Sequence, residues 1–359
     1  MKTLTIERLA RLADAGNGPV VTLVEPVRMP NERARAELEW RQLLHDARVA
    51  LDEAAIPSDV VDRMMSTAER PLTDGWPSHE RGLAYIASTD IHELFALTRD
   101  VDPFWAVGDR PAFHALIMCV DDPPAQVLTL DLHDTQLYEL AGNDLRPVPV
   151  ELLARTIEEV VPAVEHGQHL TRHGGAHVGR GIVGIVHGED DAGIERQHEL
   201  DVFCRAVDDA LSRRVSSDEC GPLVVAGVTD LVARLRKVAR RPERFATAIE
   251  GSPAHVGHHE LARRARAALN EHLDRAVAAS VERFRARHGL GVASDDLIDI
   301  AAAANEGRVD ELLLPAALGH PSDVTALLDE AIADVLHDGG RVTVVPIGHL
   351  DTVAAIYRW

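Results

Sequence analysis

The sequence predicts an α/β fold in three domains, and three observations predict it. Apolar strand runs alternate with helical periodicity through the middle of the chain, the pattern of layered α/β architecture. Asp121-Asp122-Pro123-Pro124 reads as a hinge. A long helical pattern starts near residue 263 and leads into a helix–strand–helix–strand–strand series. The expected domains are therefore an N-terminal α/β domain over 1–120, a middle domain over 121–262 and a small α/β/α domain over 263–359.

The first block opens on a short helix pattern, then a strand over residues 20–24 and a turn from Glu25-Pro26 to Met29-Pro30. A helix over 32–55 follows. Its apolar residues Ala36, Trp40, Leu43, Leu44 and Ala47 recur at i, i+4, i+7, i+8 and i+11, which is one helical face. Residues 83–87 and 95–97 read as strands of a small sheet.

The second block begins with strands over 126–130 and 136–140, joined through His133-Asp134 as a hairpin. A helix is expected near 151–164. Residues 166–193 lack periodicity and are rich in Gly and His. A helix over 195–211, an apolar strand over 223–226 ending at Gly227, and a helix over 231–239 complete it. In the third block the long helix runs to about residue 287. Ser294-Asp295 reads as the N-cap of a helix through Ala304, stopped by Gly307. A strand over 311–314, a helix from Pro321-Ser322 to Gly339-Gly340, and strands over 341–346 and 353–357 close the chain.

Composition narrows the function. The 359 residues carry 58 Asp+Glu against 37 Lys+Arg, a formal net charge of -21, with 46% hydrophobic residues. That balance excludes global disorder and a surface coated in basic patches. A local basic patch is still allowed, because charges act over about 8 Å at physiological salt. No apolar run approaches the ~20 residues that span a bilayer, so no membrane association is expected. Glu7, Arg8, Arg11 and Asp14 interrupt any signal-peptide core and argue against export. Cys119, Cys204 and Cys220 form a sparse, odd set that fits a reducing cytoplasm and excludes a cysteine zinc site.

Two stretches carry charge in an unusual way. In residues 165–181, EHGQHLTRHGGAHVGRG, Arg172 and Arg180 are the only fixed charges between Glu165 and Glu189. Gly174, Gly175, Gly179 and Gly181 permit backbone conformations that other residues avoid. The loop reads either as a solvated surface segment or as a phosphate contact. It has no P-loop pattern. His169, His173 and His177 have i, i+4 spacing, but the glycines between them oppose a helix, and no carboxylate joins them. No metal site is therefore expected.

The second stretch, RLRKVARRPER over 234–244, sets Arg234, Arg236, Lys237, Arg240, Arg241 and Arg244 against Glu243 alone. It reads equally as cations near a helix C-terminus or as a contact for an RNA backbone or an acidic partner. Asp131 and Asp134 on the hairpin read as turn residues. As a metal-binding pair they would need a third carboxylate. No GxSxG and no GxGxxG after a strand is present, so no cofactor and no catalytic residue is expected.

The order of segments resembles one known family. VVTLVEP near Val20, GLAYIAS at 82–88 and VGDRPAF at 107–113 look like the first domain of the bacterial archaeo-eukaryotic release factor family (baeRF). This family is related to peptide-chain release factors, Pelota and the hibernation factor Balon. QVLTLDLHDTQLYELAGNDLRPV over 126–148 and PLVVAGVTDLVARLRKVAR over 222–240 resemble its middle domain. ASDDLIDIAAAANEGRVDELLLP over 293–315 and the closing GGRVTVVPIGHLDTVAAIYRW resemble its C-terminal domain.

The resemblance implies an RNase H-like middle domain and a C-terminal α/β/α domain like the kink-turn-binding ribosomal proteins. Release factors of this superfamily carry a Gly-Gly-Gln tip in the middle domain. Here the matching loop reads His173-Gly174-Gly175-Ala176-His177, with Ala176 at the Gln position and Gln168 preceded by one glycine. The resemblance therefore implies a non-catalytic, cytoplasmic, ribosome-associated translation factor of the hibernation or rescue type. Its partners would be the ribosome and rRNA, with an elongation-factor GTPase docking on the last domain. The alternative is an RNase H-like or peptidyl-tRNA hydrolase. The expected RNA-contacting residues are Arg172, Gly174, Gly175, Arg180, Arg234, Arg236, Lys237, Arg240 and Arg241.

Overall fold

A computed structural model describes residues 2–13, 18–27, 33–74, 81–98, 101–120, 124–141, 144–161, 189–214, 221–316 and 323–359. They pack as two compact units, residues 1–122 with 275–359, and residues 123–274.

The N-terminal part of the first unit contains β1 (Lys2–Thr3), α1 (Ile6–Ala13), β2 (Val20–Pro26), α2 (Arg33–Glu53), α3 (Ser58–Ser66), α4 (Arg70–Asp74), β3 (Gly82–Ala87), β4 (His92–Leu97), β5 (Phe104–Gly108) and α5 (Phe113–Cys119). The strands form one sheet in the order β1-β4-β3-β2-β5. Helices cover both faces, so β2 and β3 are apolar at nearly every position instead of alternating with polar residues. Val21, Leu23 and Val27 of β2 and its flank pack with Trp40, Met64 and Met65 on one side. Val20 and Val24 pack with Leu9, Phe113 and Leu116 on the other. Strand alternation places Glu25 on the same side as Leu23, where it is 1% exposed. A Cβ on Gly82 would lie 2.5 Å from the Glu25 carbonyl oxygen, so only glycine fits beside it. The Tyr85 hydroxyl donates to the Met64 carbonyl, and Trp40 Nε1 donates to the Ala68 carbonyl at 2.8 Å.

The second unit contains β6 (Gln126–Leu130), β7 (Gln136–Ala141), β8 (Asp144–Pro147), α6 (Glu189–Arg214), β9 (Leu223–Gly227), α7 (Thr229–Val238), β10 (Phe245–Glu250) and the first part of α8 (His258–His288). Its sheet runs β10-β9-β6-β7-β8. β6 pairs antiparallel with β7, and β7 with β8; β9 and β10 extend the sheet in parallel. One face packs Leu128, Leu130 and Val225 against Phe203 and Val207 of α6 and Leu231 and Leu235 of α7. The other packs Val127, Tyr138 and Val224 against Leu261, Ala262 and Ala265 of α8.

The helix expected near 151–164 is not found in the described part of that range. Residues 151–161 hold only one short 3-10 turn, Ile157–Glu159. The backbone there bonds outward. Thr135 N–H donates to the Arg155 carbonyl and Ile157 N–H to the Leu132 carbonyl, both at 2.8 Å, so the segment straps the β6–β7 loop. Leu152 takes a positive φ of 62, which a helix interior does not allow.

The rest of the first unit holds the C-terminal part of α8, β11 (Ala293–Ser294), α9 (Leu297–Asn305), β12 (Val309–Pro315), α10 (Asp323–His337), β13 (Arg341–Val345) and β14 (Ala354–Tyr357). The sheet order is β11-β14-β12-β13. Leu313, Val345 and Ile356 face Val281 and Phe284 of α8, while Leu312, Leu314 and Ala355 face α9 and α10. α8 thus covers one face of this sheet, and α9 and α10 cover the other. The N-cap of α9 is Asp296, whose carboxylate accepts from Ile298 and Asp299 N–H; Ser294 belongs to β11, and its hydroxyl accepts from Asp296 N–H at 3.1 Å. The expected cap at Ser294-Asp295 is thus displaced, because Ser294 is spent on pairing with β14. No helix among the described residues is long and apolar enough to cross a membrane.

Candidate nucleic-acid interface

The basic stretch lies on α7 and the segment after it. α7 follows β9 through Gly227, where an added Cβ would meet the Leu130 carbonyl oxygen at 2.7 Å. Leu231, Val232 and Leu235 bury one face of α7, which turns Arg236 and Lys237 outward, and both are exposed. Arg234 is held by two carboxylates. Its Nε donates to Asp230 at 2.9 Å and a terminal nitrogen donates to Asp201 at 3.1 Å.

Arg240 is also engaged. Its backbone N–H donates to Asp208 at 3.2 Å, and its guanidinium lies 2.5 Å from Asp209. Burial raises the Asp208 carboxyl above its usual range, against the lowering effect of that backbone hydrogen bond. Arg244 braces the sheet edge by donating to Gln126 Oε1 at 2.9 Å. Arg236 sits over the Phe245 ring, 5.9 Å from its centre, a cation–π contact that leaves its charge exposed. Among the described residues Lys237 and Arg241 have no carboxylate partner, and both are exposed. The structure therefore sorts the stretch into Arg234 and Arg240, which tie α7 to α6, and Arg236, Lys237 and Arg241, which offer charge to solvent. The carboxylates of α6 responsible are Asp201, on Arg234, and Asp208 and Asp209, on Arg240. They were visible in the sequence as acids, but their partners on and just after α7 were not.

Asp131 and Asp134 do not converge. Asp131 accepts from His133 N–H at 3.0 Å and from the Ser252 hydroxyl at 3.3 Å. Asp134 accepts from Gln136 Nε2 at 2.8 Å and from Arg155 at 3.0 Å, and these contacts, Gln136 first, lower its pKa. No group of three His, Cys, Asp or Glu residues able to hold a metal ion is present among the described residues. Gln168, Arg172, Gly174, Gly175, Ala176, Arg180 and the histidines at 166, 169, 173, 177 and 187 all lie outside the described residues.

A family model described as bacterial archaeo-eukaryotic release factor family 3 matches residues 125–308. That span runs from the start of β6 to the end of α9 and takes in the whole basic stretch. The chain belongs to this family. No curated protein matches it. Among solved structures, the chain is similar to Pelota of Archaeoglobus fulgidus, at 13% identity over 100% of this chain and 94% of that one, with a TM-score of 0.29. It is similar to Dom34 of S. cerevisiae, described as a translation termination-like factor interacting with Hbs1, at 9% identity over 78% of this chain and 74% of that one, with a TM-score of 0.43. It is also similar to the archaeal translation termination factor aRF1, at 16% identity over 99% of each chain, with a TM-score of 0.24.

Proposed function

We propose that this member of the family is a cytoplasmic, ribosome-associated translation factor of the hibernation or rescue type, acting by binding and not by hydrolysis. The observation that carries the reading is the family match over 125–308 enclosing a glycine pair, Gly174-Gly175, followed by Ala176. With Ala176 directly after the glycines, the sequence supplies no side-chain amide at that position to orient water at a peptidyl-tRNA ester. The glycine-rich loop then serves as a contact, with Arg172 and Arg180 on RNA phosphate and Gly174 and Gly175 permitting close backbone approach. Arg236, Lys237 and Arg241 add a second contact.

The domain reading belongs to the same proposal. The N-terminal domain covers 1–120, the middle domain 121–262 and the C-terminal domain 263–359. The strand order β8-β7-β6-β9-β10, an antiparallel meander extended by two parallel strands, supports an RNase H-like middle domain. The C-terminal domain, like the kink-turn-binding ribosomal proteins, docks an elongation-factor GTPase, and rRNA is the nucleic-acid partner. The hydrolase alternative gains no support from Asp131 and Asp134, whose oxygens are taken up by Ser252, His133, Gln136 and Arg155.

A release assay on programmed ribosomes tests the reading. The expected result is peptide release at background, unchanged by Gly175→Ala. Release well above background that Gly175→Ala abolishes would overturn it.

A further inference from the structure

A cleft of about 420 Å³ opens between the end of β2 and the first turns of α2, well away from the basic stretch in sequence and in a different sheet. It falls in the size range of small-ligand sites. Pro26, Leu43 and Pro103 give it an apolar wall, and Glu25, Glu39 and Arg35 supply its charge. Glu25 is 1% exposed, and its Oε1 is fully buried with no hydrogen-bond partner among the described residues. Such a group lacks the compensation that buried polar atoms normally receive.

The charge pattern selects the ligand. Arg35 donates its Nε to Glu39 Oε1 at 2.7 Å, so the guanidinium of the cleft is already bound to one of its two carboxyls. Glu39 lines the same cleft as Glu25. An anion entering the cleft would meet both carboxyls. A cation carrying N–H donors would supply what Glu25 Oε1 lacks once the side chains that cover it part, and an aliphatic body would fill the wall of Pro26, Leu43 and Pro103. We propose that this cleft binds a small aliphatic cation, an alkylammonium or alkylguanidinium, with its charged head on the Glu25 and Glu39 carboxylates and its hydrocarbon body against Pro26, Leu43 and Pro103.

Proton linkage follows from the same geometry. Burial first, then the hydrogen bond and charge of Glu39, raise the Glu25 carboxyl from 4.5 to about 8, against the lowering effect of Arg35. The charges that act on it are Glu39 and Arg35 of α2. Near neutral pH the cation therefore displaces one proton from Glu25. Affinity rises about tenfold per pH unit up to about pH 8 and then levels off.

Calorimetric titration of the full chain with putrescine and with Nα-acetyl-lysinamide tests the proposal, in two buffers of different ionisation enthalpy. The expected result is saturable binding of at least one probe, release of close to one proton at pH 7, and a loss of about tenfold or more in affinity in Glu25→Gln. Tighter binding of putrescine points to a free amine as the natural ligand. Tighter binding of the lysine derivative points to a basic side chain of a partner. If Glu25→Gln fails to fold, Glu39→Gln, on the half-exposed partner, replaces it with the same expected loss. Absence of binding by both probes into the millimolar range, unchanged affinity in the folded variants, or butyrate binding as tightly as putrescine would overturn the proposal.

Discussion

Asp329 Oδ1 receives two contacts from a single residue, His114: its backbone N–H at 2.7 Å and its ring Nδ1 at 2.9 Å. The pair is buried and joins α5, in the first third of the chain, to α10, in the last. The His114 ring also stands edge-on to Phe104, 5.2 Å between ring centres. Removing one partner of a buried polar pair strands the other. Asp329→Ala should therefore destabilise the first unit by about 2–4 kcal/mol. Arg110→Ala, which removes the exposed pair with Glu330 nearby, should cost less than about 1 kcal/mol. Thermal unfolding of the two variants side by side checks this, and equal shifts would contradict it.

Glu311 is a second buried anchor. On β12 its carboxylate accepts from the Ser280 hydroxyl at 3.1 Å, the Thr343 hydroxyl at 2.7 Å and the Arg283 guanidinium, so one residue ties α8, β12 and β13 together. Glu311→Ala should cost about 2–4 kcal/mol, because Arg283 loses its carboxylate and two hydroxyls lose an acceptor. Glu311→Gln keeps the hydroxyl contacts and should cost less. Amide exchange across Val309–Pro315 would report the loosening. Unchanged protection in Glu311→Ala would count against the network.

Glu25 sets a pH dependence of stability. Its carboxyl is raised from 4.5 to about 8 in the folded chain, mainly by burial. The folded state thus holds a proton that the unfolded chain has released above about pH 4.5. The linked stability is complete below that pH and is lost as pH rises through about 8. Glu25→Gln mimics the neutral form. It should leave the melting temperature almost unchanged near pH 5 and raise it relative to wild type at pH 8.5. Parallel melting curves across this range would rule out the assignment.

How much of this was legible in the sequence depends on the range of the interactions. The apolar runs that became β2, β6 and β9 and the long periodicity of α8 are local, and they predicted their elements. The segment 151–161 has helical composition, yet its backbone bonds to the β6–β7 loop, a partner set by tertiary structure. The sequence puts Glu25 at the start of a turn; pairing with β3 carries β2 on through Glu25 and Pro26, and the approach of Glu39 comes from another element. The basic stretch was visible as charge. Its division into bound and free cations depends on Asp201, Asp208 and Asp209, which only packing brings opposite α7. The His114–Asp329 pair, separated by most of the chain, leaves no local trace.

On the proposed function, a few exposed cations hold an otherwise acidic protein on the ribosome. Between 121 and 262 there are 24 acidic and 14 basic residues, so Arg236, Lys237 and Arg241 stand out against their surroundings. Sedimentation with ribosomes from the protein's own source, over a range of salt concentrations, tests the claim directly. Wild type should bind at low salt, with log affinity falling linearly with log salt as counterions return to phosphate. Replacing Arg236, Lys237 and Arg241 together by Glu should weaken binding and flatten that slope by about 2–3. The fold should persist, since exposed substitutions usually change stability by about 0.5 kcal/mol or less each. Failure of the wild type to sediment with ribosomes at any salt concentration, or an unchanged isotherm from a folded triple variant, would show that these cations do not hold it there.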